Sequence, residues 1–237
     1  MINAKRILYK ISGEVLMGEK EYGQDPAVIA KVAHDVKLVH SLGKQVCIVV
    51  GGGNIFRGIK SDNAGIDRVT GDYIGMLATI MNALALQSAL ENLGLDTRVM
   101  SAVQISSMCE VYIRRKAMRH LAKDRIVIFA AGTGNPFFTT DTGGVLRAIE
   151  MGCDAFFKGT SVDGVYSADP KKDKNAKRYQ DINYDTVIAN NLKVMDISGV
   201  SLAKDNNLPL YIFSIKNGET PLTEMLAGNI PYSKISG

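Results

Sequence analysis

Short apolar runs recur along this chain, and most of them stop at a glycine or a charged side chain. Arg6 to Ile11 (RILYKI), Gln45 to Val50 (QVCIVV) and Ile126 to Ala130 (IVIFA) lack the alternation of a half-solvated strand, so they predict buried strands. Further strands are expected at Arg98 to Val103, Asp154 to Lys158 and Leu208 to Ile215, with the tail NIPYSKI as an edge strand. Between them the period changes. Asp25-Pro26 supplies an N-cap and a first-turn proline, and Ile29, Val32, Val36 and Val39 then recur at helical spacing up to Gly43. Tyr73 to Leu90 carries no charge and has about the minimum length of a membrane span, yet Thr79, Asn82, Gln87 and Ser88 interrupt it and no basic cluster flanks it. It reads as a buried or subunit-contact helix. Ser107 to Leu121 reads as a helix whose Arg114, Arg115, Lys116 and Arg119 form a solvated face rather than a nucleic-acid surface. Two short helices within Asp185 to Asn206, the second opened by Asp196, and one at Pro221 to Leu226 complete the pattern. Strand, glycine turn and helix in repeated order argue for an α/β domain with one mostly parallel sheet covered on both faces.

The turns carry the candidate chemistry. After the apolar run ending at Ala130, Gly132, Thr133, Gly134 and Asn135 break the strand, and Thr139, Thr140 and Asp141 open a helix. Hydroxyls and uncapped amides at a helix start favour an anion, phosphate above all, and an acid beside such a site pairs with a lysine or a metal. Gly51-Gly52-Gly53 directly after a strand is a backbone surface suited to close approach by a phosphate, and Arg57 follows as a clamp or as an ordinary surface arginine. Lys10 and Lys158 each end a strand, where an open α/β sheet places its ligands. Asp72 is open to two readings, helix N-cap or acceptor for ribose hydroxyls. The segment from Gly159 to Pro170 suits a base and ribose, or contains a hairpin with Asp163-Gly164 at its turn. Gly58 to Thr70 reads as a mobile loop over the site, and Lys171 to Arg178 as a flexible charge run.

Composition narrows the classes. A hydrophobic content of 46% across 237 residues suffices for a core, and a net charge of +4 is congenial to an anionic substrate without demanding nucleic acid. Cys47, Cys109 and Cys153 are scattered and odd in number, so neither a disulfide framework nor a zinc site is indicated, and a reducing compartment is expected. The N-terminus meets a charge too early for a secretory segment. His34, His40 and His120 are expected to be solvated. GxxxxGK[ST], GxGxxG after the first strand, HExxH and GxSxG are all missing.

Six blocks carry a family resemblance: KISGE at Lys10 to Glu14, GGGNIFRG at Gly51 to Gly58, GDYIGMLATIMNALAL at Gly71 to Leu86, GTGNPFFTTD at Gly132 to Asp141, VDGVYSADP at Val162 to Pro170 and KVMD at Lys193 to Asp196. In this order they resemble the bacterial uridylate kinases of the amino-acid-kinase superfamily. The resemblance implies a three-layer αβα sandwich and phosphoryl transfer from ATP, with Mg2+, to UMP in the cytoplasm. It implies a single domain over residues 1–237, its part up to about 150 serving mainly UMP and subunit contacts and its part from about 151 mainly ATP, in a homohexamer without nucleic-acid or membrane partners. By resemblance Lys10, Ile11, Ser12, Gly13, Gly53, Arg57, Thr160, Tyr166 and Asp169 face ATP. Gly52, Asp72, Thr133, Gly134, Asn135, Pro136, Phe137, Phe138, Thr139 and Thr140 face UMP. Lys10, Arg57, Asp141 and Lys158 would carry the catalysis, Asp141 positioning the cations or a Mg ion. Ser161 stands where many members have lysine. Gln87, Ser88 and Glu91 replace arginine, aspartate and histidine that serve GTP activation in enteric members, although Arg98 and Arg125 remain.

Overall fold

The computed structural model describes residues 2–56, 65–168, 170, 172–173, 175–216 and 221–237. Strands β1 (Arg6–Ile11), β2 (Gln45–Val50), β3 (Thr97–Ser101), β4 (Glu110–Val111), β5 (Ile126–Ala130), β6 (Ala155–Thr160), β9 (Asp181–Asn183), β10 (Leu210–Ser214) and β11 (Tyr232–Ser236) form one sheet in the order β4-β3-β5-β2-β1-β6-β10-β11-β9. Every pairing is parallel except β10 with β11. Strands β7 (Val165–Tyr166) and β8 (Arg178–Tyr179) form a separate antiparallel ribbon.

Helices cover both faces because the central strands present apolar side chains on both. Ile7, Tyr9 and Ile11 of β1, with Val46, Ile48 and Val50 of β2, pack against α2 (Pro26–Ser41), α3 (Arg68–Asn92) and α8 (Pro221–Ala227). Leu8, Cys47, Val49 and Phe156 face the opposite layer of α4 (Arg114–Ala122), α5 (Thr140–Glu150), α6 (Tyr184–Ala189) and α7 (Ile197–Asp205). The short α1 (Gly13–Leu16) follows β1. A strand sandwiched in this way has no polar face to alternate with, which is why the runs read as continuous.

The long apolar helix starts at Arg68, with the Asp67 carboxylate accepting from Val69 N and Thr70 N, so Asp72 is not an N-cap but lies in the helix's second turn. Thr70 and Arg68 are therefore helical rather than loop, while 58–64 lie outside the described residues. Ser107 to Leu121 is not one helix: Glu110–Val111 pairs with β3, and the helix begins only at Arg114, with the four basic side chains exposed as expected. The tail strand is internal, flanked by β10 and β9, because β9 adds outside it. The turn at Asp163-Gly164 is not a hairpin tip, since β7 pairs with Arg178–Tyr179 far beyond it. His34 is exposed, but His40 and His120 are tucked against Asp124 and Glu110 at 3.3 and 3.2 Å instead of being solvated.

Candidate active site

Parallel strands deliver their carboxyl ends to one rim, and the rim holds most of the suspected residues. Lys10 and Lys158 are register partners across β1 and β6, so their side chains emerge side by side on the same face. Above them α5 places Asp141 between the two ammonium groups. Asp141 Oδ1 lies 2.8 Å from Lys10 Nζ in ion-pair contact, and Oδ2 accepts a 2.5 Å hydrogen bond from Lys158 Nζ. Lys158 Nζ also donates to Val194 O at 2.6 Å, and Lys10 Nζ to Ser12 Oγ at 3.2 Å. All three residues are buried, with side chains 8 to 12% exposed. Burial alone would push the Asp141 carboxyl up, but the two ammoniums outweigh it and hold the group well below the usual carboxylate range. Burial pushes Lys158 below the ordinary lysine value, Asp141 pulls it back, and neighbouring Lys10 lowers it again. This is a pair of cations concentrated by one anion, with net positive charge at the centre.

The start of α5 is built as the sequence suggested. Thr139 is the N-cap, its Oγ1 accepting from Asp141 N at 3.2 Å and Thr142 N at 3.5 Å. Thr139 and Thr142 both donate their hydroxyl protons to the Asp196 carboxylate. Asp196 sits at the N-cap position of α7, as the sequence predicts, but its side chain makes no capping bond there and braces α5 instead.

Two cavities flank the charged centre. The first, about 540 Å3, is lined by Gly52, Gly53, Asp72, Thr133, Asn135, Phe138, Thr139 and Thr140, among others. The second, about 680 Å3, is lined by Lys158, Thr160, Ser161, Tyr166, Lys193 and their neighbours. Each has the size of a small-molecule site. Asp141 directly follows the Thr139–Thr140 wall of the first, and Lys158 belongs to the wall of the second, so the ion-paired centre joins them.

Glycine at Gly52 is required by packing: a Cβ there would lie 2.8 Å from Ala78 Cβ and 2.9 Å from Gly75 O of α3. At Gly13 a Cβ would meet Gly51 O and Asn54 Oδ1 at 2.7 Å and Gly53 N at 2.8 Å, so the turns after β1 and β2 lie backbone against backbone. Asp72 accepts from Arg68 Nε at 2.9 Å and from Phe137 N at 2.8 Å, tying the 131–138 loop to α3. Ala131 and Phe137 bracket this loop in left-handed backbone, φ 62° and 70°. Such conformations in residues with a Cβ store strain and cluster at ligand sites. Phe137 and Phe138 remain largely exposed, and Pro136 and Gly134 lie in the same loop. Ile11 points into the core, so only its backbone can face a ligand. Tyr166 Oη donates to Asp163 Oδ1 at 2.8 Å. Arg57 and Asp169 lie outside the described residues.

A protein-built metal site does not fit here. Among the described residues no three His, Cys, Asp or Glu side chains gather, and both oxygens of Asp141 are engaged by lysines. The residues that sequence reasoning missed are polar side chains on the apolar helix. Thr79 Oγ1 accepts from Ala131 N at 2.8 Å, and Asn82 reaches Gly51 O at 2.7 Å. The only signal available was their presence as interruptions in an otherwise apolar run.

Comparison with known proteins agrees with this geometry. The model of the amino acid kinase family matches residues 5–214. A uridylate kinase of Zymomonas mobilis is 60% identical over 211 residues, 89% of this chain and 87% of that protein. One from Cereibacter sphaeroides is 52% identical over 236 residues, covering 100% of this chain and 96% of its own. Among solved structures, UMP kinase from Bacillus anthracis superimposes with a TM-score of 0.93 at 39% identity, covering 98% of this chain and 96% of that one. UMP kinase from Ureaplasma parvum gives 0.94 at 34% identity with full coverage of both chains.

Proposed function

The chain belongs to the amino acid kinase family, and from that premise we infer that it is a UMP kinase, moving the γ-phosphoryl group of ATP to UMP to give UDP and ADP. The observation that carries this reading is the buried Lys10–Asp141–Lys158 centre joining two cavities of nucleotide size. UMP occupies the first cavity, its phosphate toward Thr139, Thr140 and the Gly52 turn, with Asp72 and the Thr133 to Phe138 loop around ribose and base. ATP occupies the second, its adenosine toward Thr160 and Tyr166 and its phosphates toward Lys10 to Gly13 and Gly53, and Arg57 and Asp169 serve the same substrate. The part of the chain up to about residue 150 would then serve mainly the acceptor, apart from the turns after β1 and β2 that also meet the ATP phosphates, and the remainder mainly the donor.

Phosphoryl transfer needs in-line placement and charge neutralisation rather than proton abstraction, because a monophosphate is already largely dianionic near neutral pH. Lys10 and Lys158 offset charge on the transferring group. Asp141 keeps them adjacent and oriented, so that they need not reorganise during the step. Mg2+ carried with ATP would supply charge neutralisation on the phosphates, and few protein groups would be needed to hold it. The exposed stripe Val69, Tyr73, Leu77 and Met81 along α3 supports a subunit contact, and a homohexamer with effector control is the assembly we propose. Three free cysteines suit the cytoplasm.

A coupled ADP-release assay across nucleoside monophosphates tests the reading. Turnover is expected with UMP and Mg2+, with CMP, dUMP and AMP poor acceptors. Equal turnover of carbamate or glutamate would overturn it.

A further inference from the structure

At the middle of the apolar α3 sits an asparagine with no solvent exposure, Asn82. An amide placed there and left unpaired would be costly, so its retention in a helix of this character asks where its bonds go. All four are used. Asn82 Nδ2 donates to Gly51 O and to Asn54 Oδ1, each at 2.7 Å. Asn82 Oδ1 accepts from Gln24 Nε2 at 2.9 Å and from Asn54 Nδ2 at 3.1 Å. Asn54 is itself 2% exposed, and its Nδ2 also donates to Gly23 O at 2.7 Å.

These bonds grip both ends of one turn. Gly51 is the first residue after β2 and Asn54 closes the turn, so Asn82 spans the Gly52–Gly53 backbone that lines the first cavity. The turn has no slack elsewhere. Gly52 lies flush against α3, and its carbonyl accepts from Ile55 N and Phe56 N at 3.0 Å. Asn54 Oδ1 also lies where a Cβ on Gly13 would collide, so the same amide pair sets the distance between the turns after β1 and β2. A leucine would fill the volume but leave the Gly51 carbonyl and Asn54 Oδ1 without the donor that Asn82 supplies. Packing alone therefore does not account for an asparagine here.

We propose that Asn82 is a positioning residue for phosphoryl transfer, fixing the Gly51–Asn54 turn, and through it the Ser12–Gly13 turn, in the geometry that receives the phosphates. It touches no substrate and acts through the glycine backbone. The inference deepens the kinase reading and rests on it for its catalytic consequence. Misplacement of about 1 Å at such a wall is enough to cost on the order of a hundredfold in rate.

Asn82→Asp tests it, because it keeps the size and the acceptor toward Gln24 while turning the donor toward Gly51 O and Asn54 Oδ1 into a repelling oxygen. Leu90→Ala, a fully buried site farther along α3, is the control for stability loss alone. The expected result is a fall in kcat of about ten- to a hundredfold for Asn82→Asp, measured well below its melting temperature, while Leu90→Ala melts earlier with kcat within about twofold of the wild type. Asn54→Ala, which leaves the Asn82–Gly51 bond in place, provides a milder variant if Asn82→Asp does not fold, and should lower kcat at least about threefold. Hydrogen exchange of the segment 51–56 in the unliganded protein should accelerate in the Asn82 and Asn54 variants and not in Leu90→Ala. Unchanged exchange, or kcat within about twofold in both amide variants, overturns the role of Asn82. Failure of the wild type to phosphorylate UMP counts instead against the kinase reading, since the exchange measurement stands without activity.

Discussion

Replacing Asp141 with asparagine removes the one anion between two buried ammonium groups and keeps the volume. At 2.8 and 2.5 Å each contact is worth about 6 kcal/mol of attraction at an effective dielectric constant of about 20, most of it offset by desolvation of several kcal/mol per ion. The cost of losing the partner is larger than the net worth of the pair, since it leaves adjacent uncompensated cations, and about 3–5 kcal/mol is expected. With side chains 8 to 12% exposed, solvent screening gives little relief. Against a native stability of about 5–15 kcal/mol the variant still folds, but its urea midpoint should drop by roughly 1–2 M at a slope of about 2–3 kcal/mol/M. Unfolding followed by fluorescence or circular dichroism measures the drop, and ADP release should fall together with it.

The pH dependence has a definite sign. Because the folded Asp141 value is depressed, its stabilisation is complete above the unfolded value of about 3.9 and is lost as pH falls through the lower folded value. The wild type should therefore lose stability on acidification in that window more steeply than Asp141→Asn. An unchanged midpoint at neutral pH together with unchanged turnover would refute the argument that this carboxylate holds the cations.

Lys10→Ala leaves Asp141 paired with Lys158, so it should fold while losing about 10²- to 10³-fold in kcat; unaltered turnover removes Lys10 from the chemistry. Gly52→Ala forces a Cβ to within 2.9 Å of a helix carbonyl, which should cost about 1–3 kcal/mol in a thermal melt and raise KM for UMP, whereas a wild-type-like melt would show that the turn can retreat. Burial places the Lys158 value below the ordinary lysine's of about 10.4, so turnover should fall on the alkaline side earlier than an exposed lysine would dictate. Over the same window the group's contribution to stability rises with pH, because the unfolded chain binds more protons there, and parallel loss of stability and activity would contradict the assignment.

Elements whose causes are local are legible in the order of residues. Continuous apolar runs became strands buried on both faces, Asp25-Pro26 and Thr139 capped the helices they precede, and glycines marked the turns at the sheet's carboxyl rim. Six ordered blocks were enough to signal the family. Which side chains become partners depends on the packing of distant elements. Lys10 meets Lys158 through strand register, Asp141 meets both because α5 packs over β1 and β6, and Asp196 abandons its own helix for two hydroxyls on α5. Asn82 and Thr79 read as blemishes in an apolar helix until the turns they hold come into view. Periodicity and capping depend on neighbours a few residues away, whereas a buried polar side chain chooses its partner from whatever the fold brings within about 3 Å, and that choice is not written in its flanking residues.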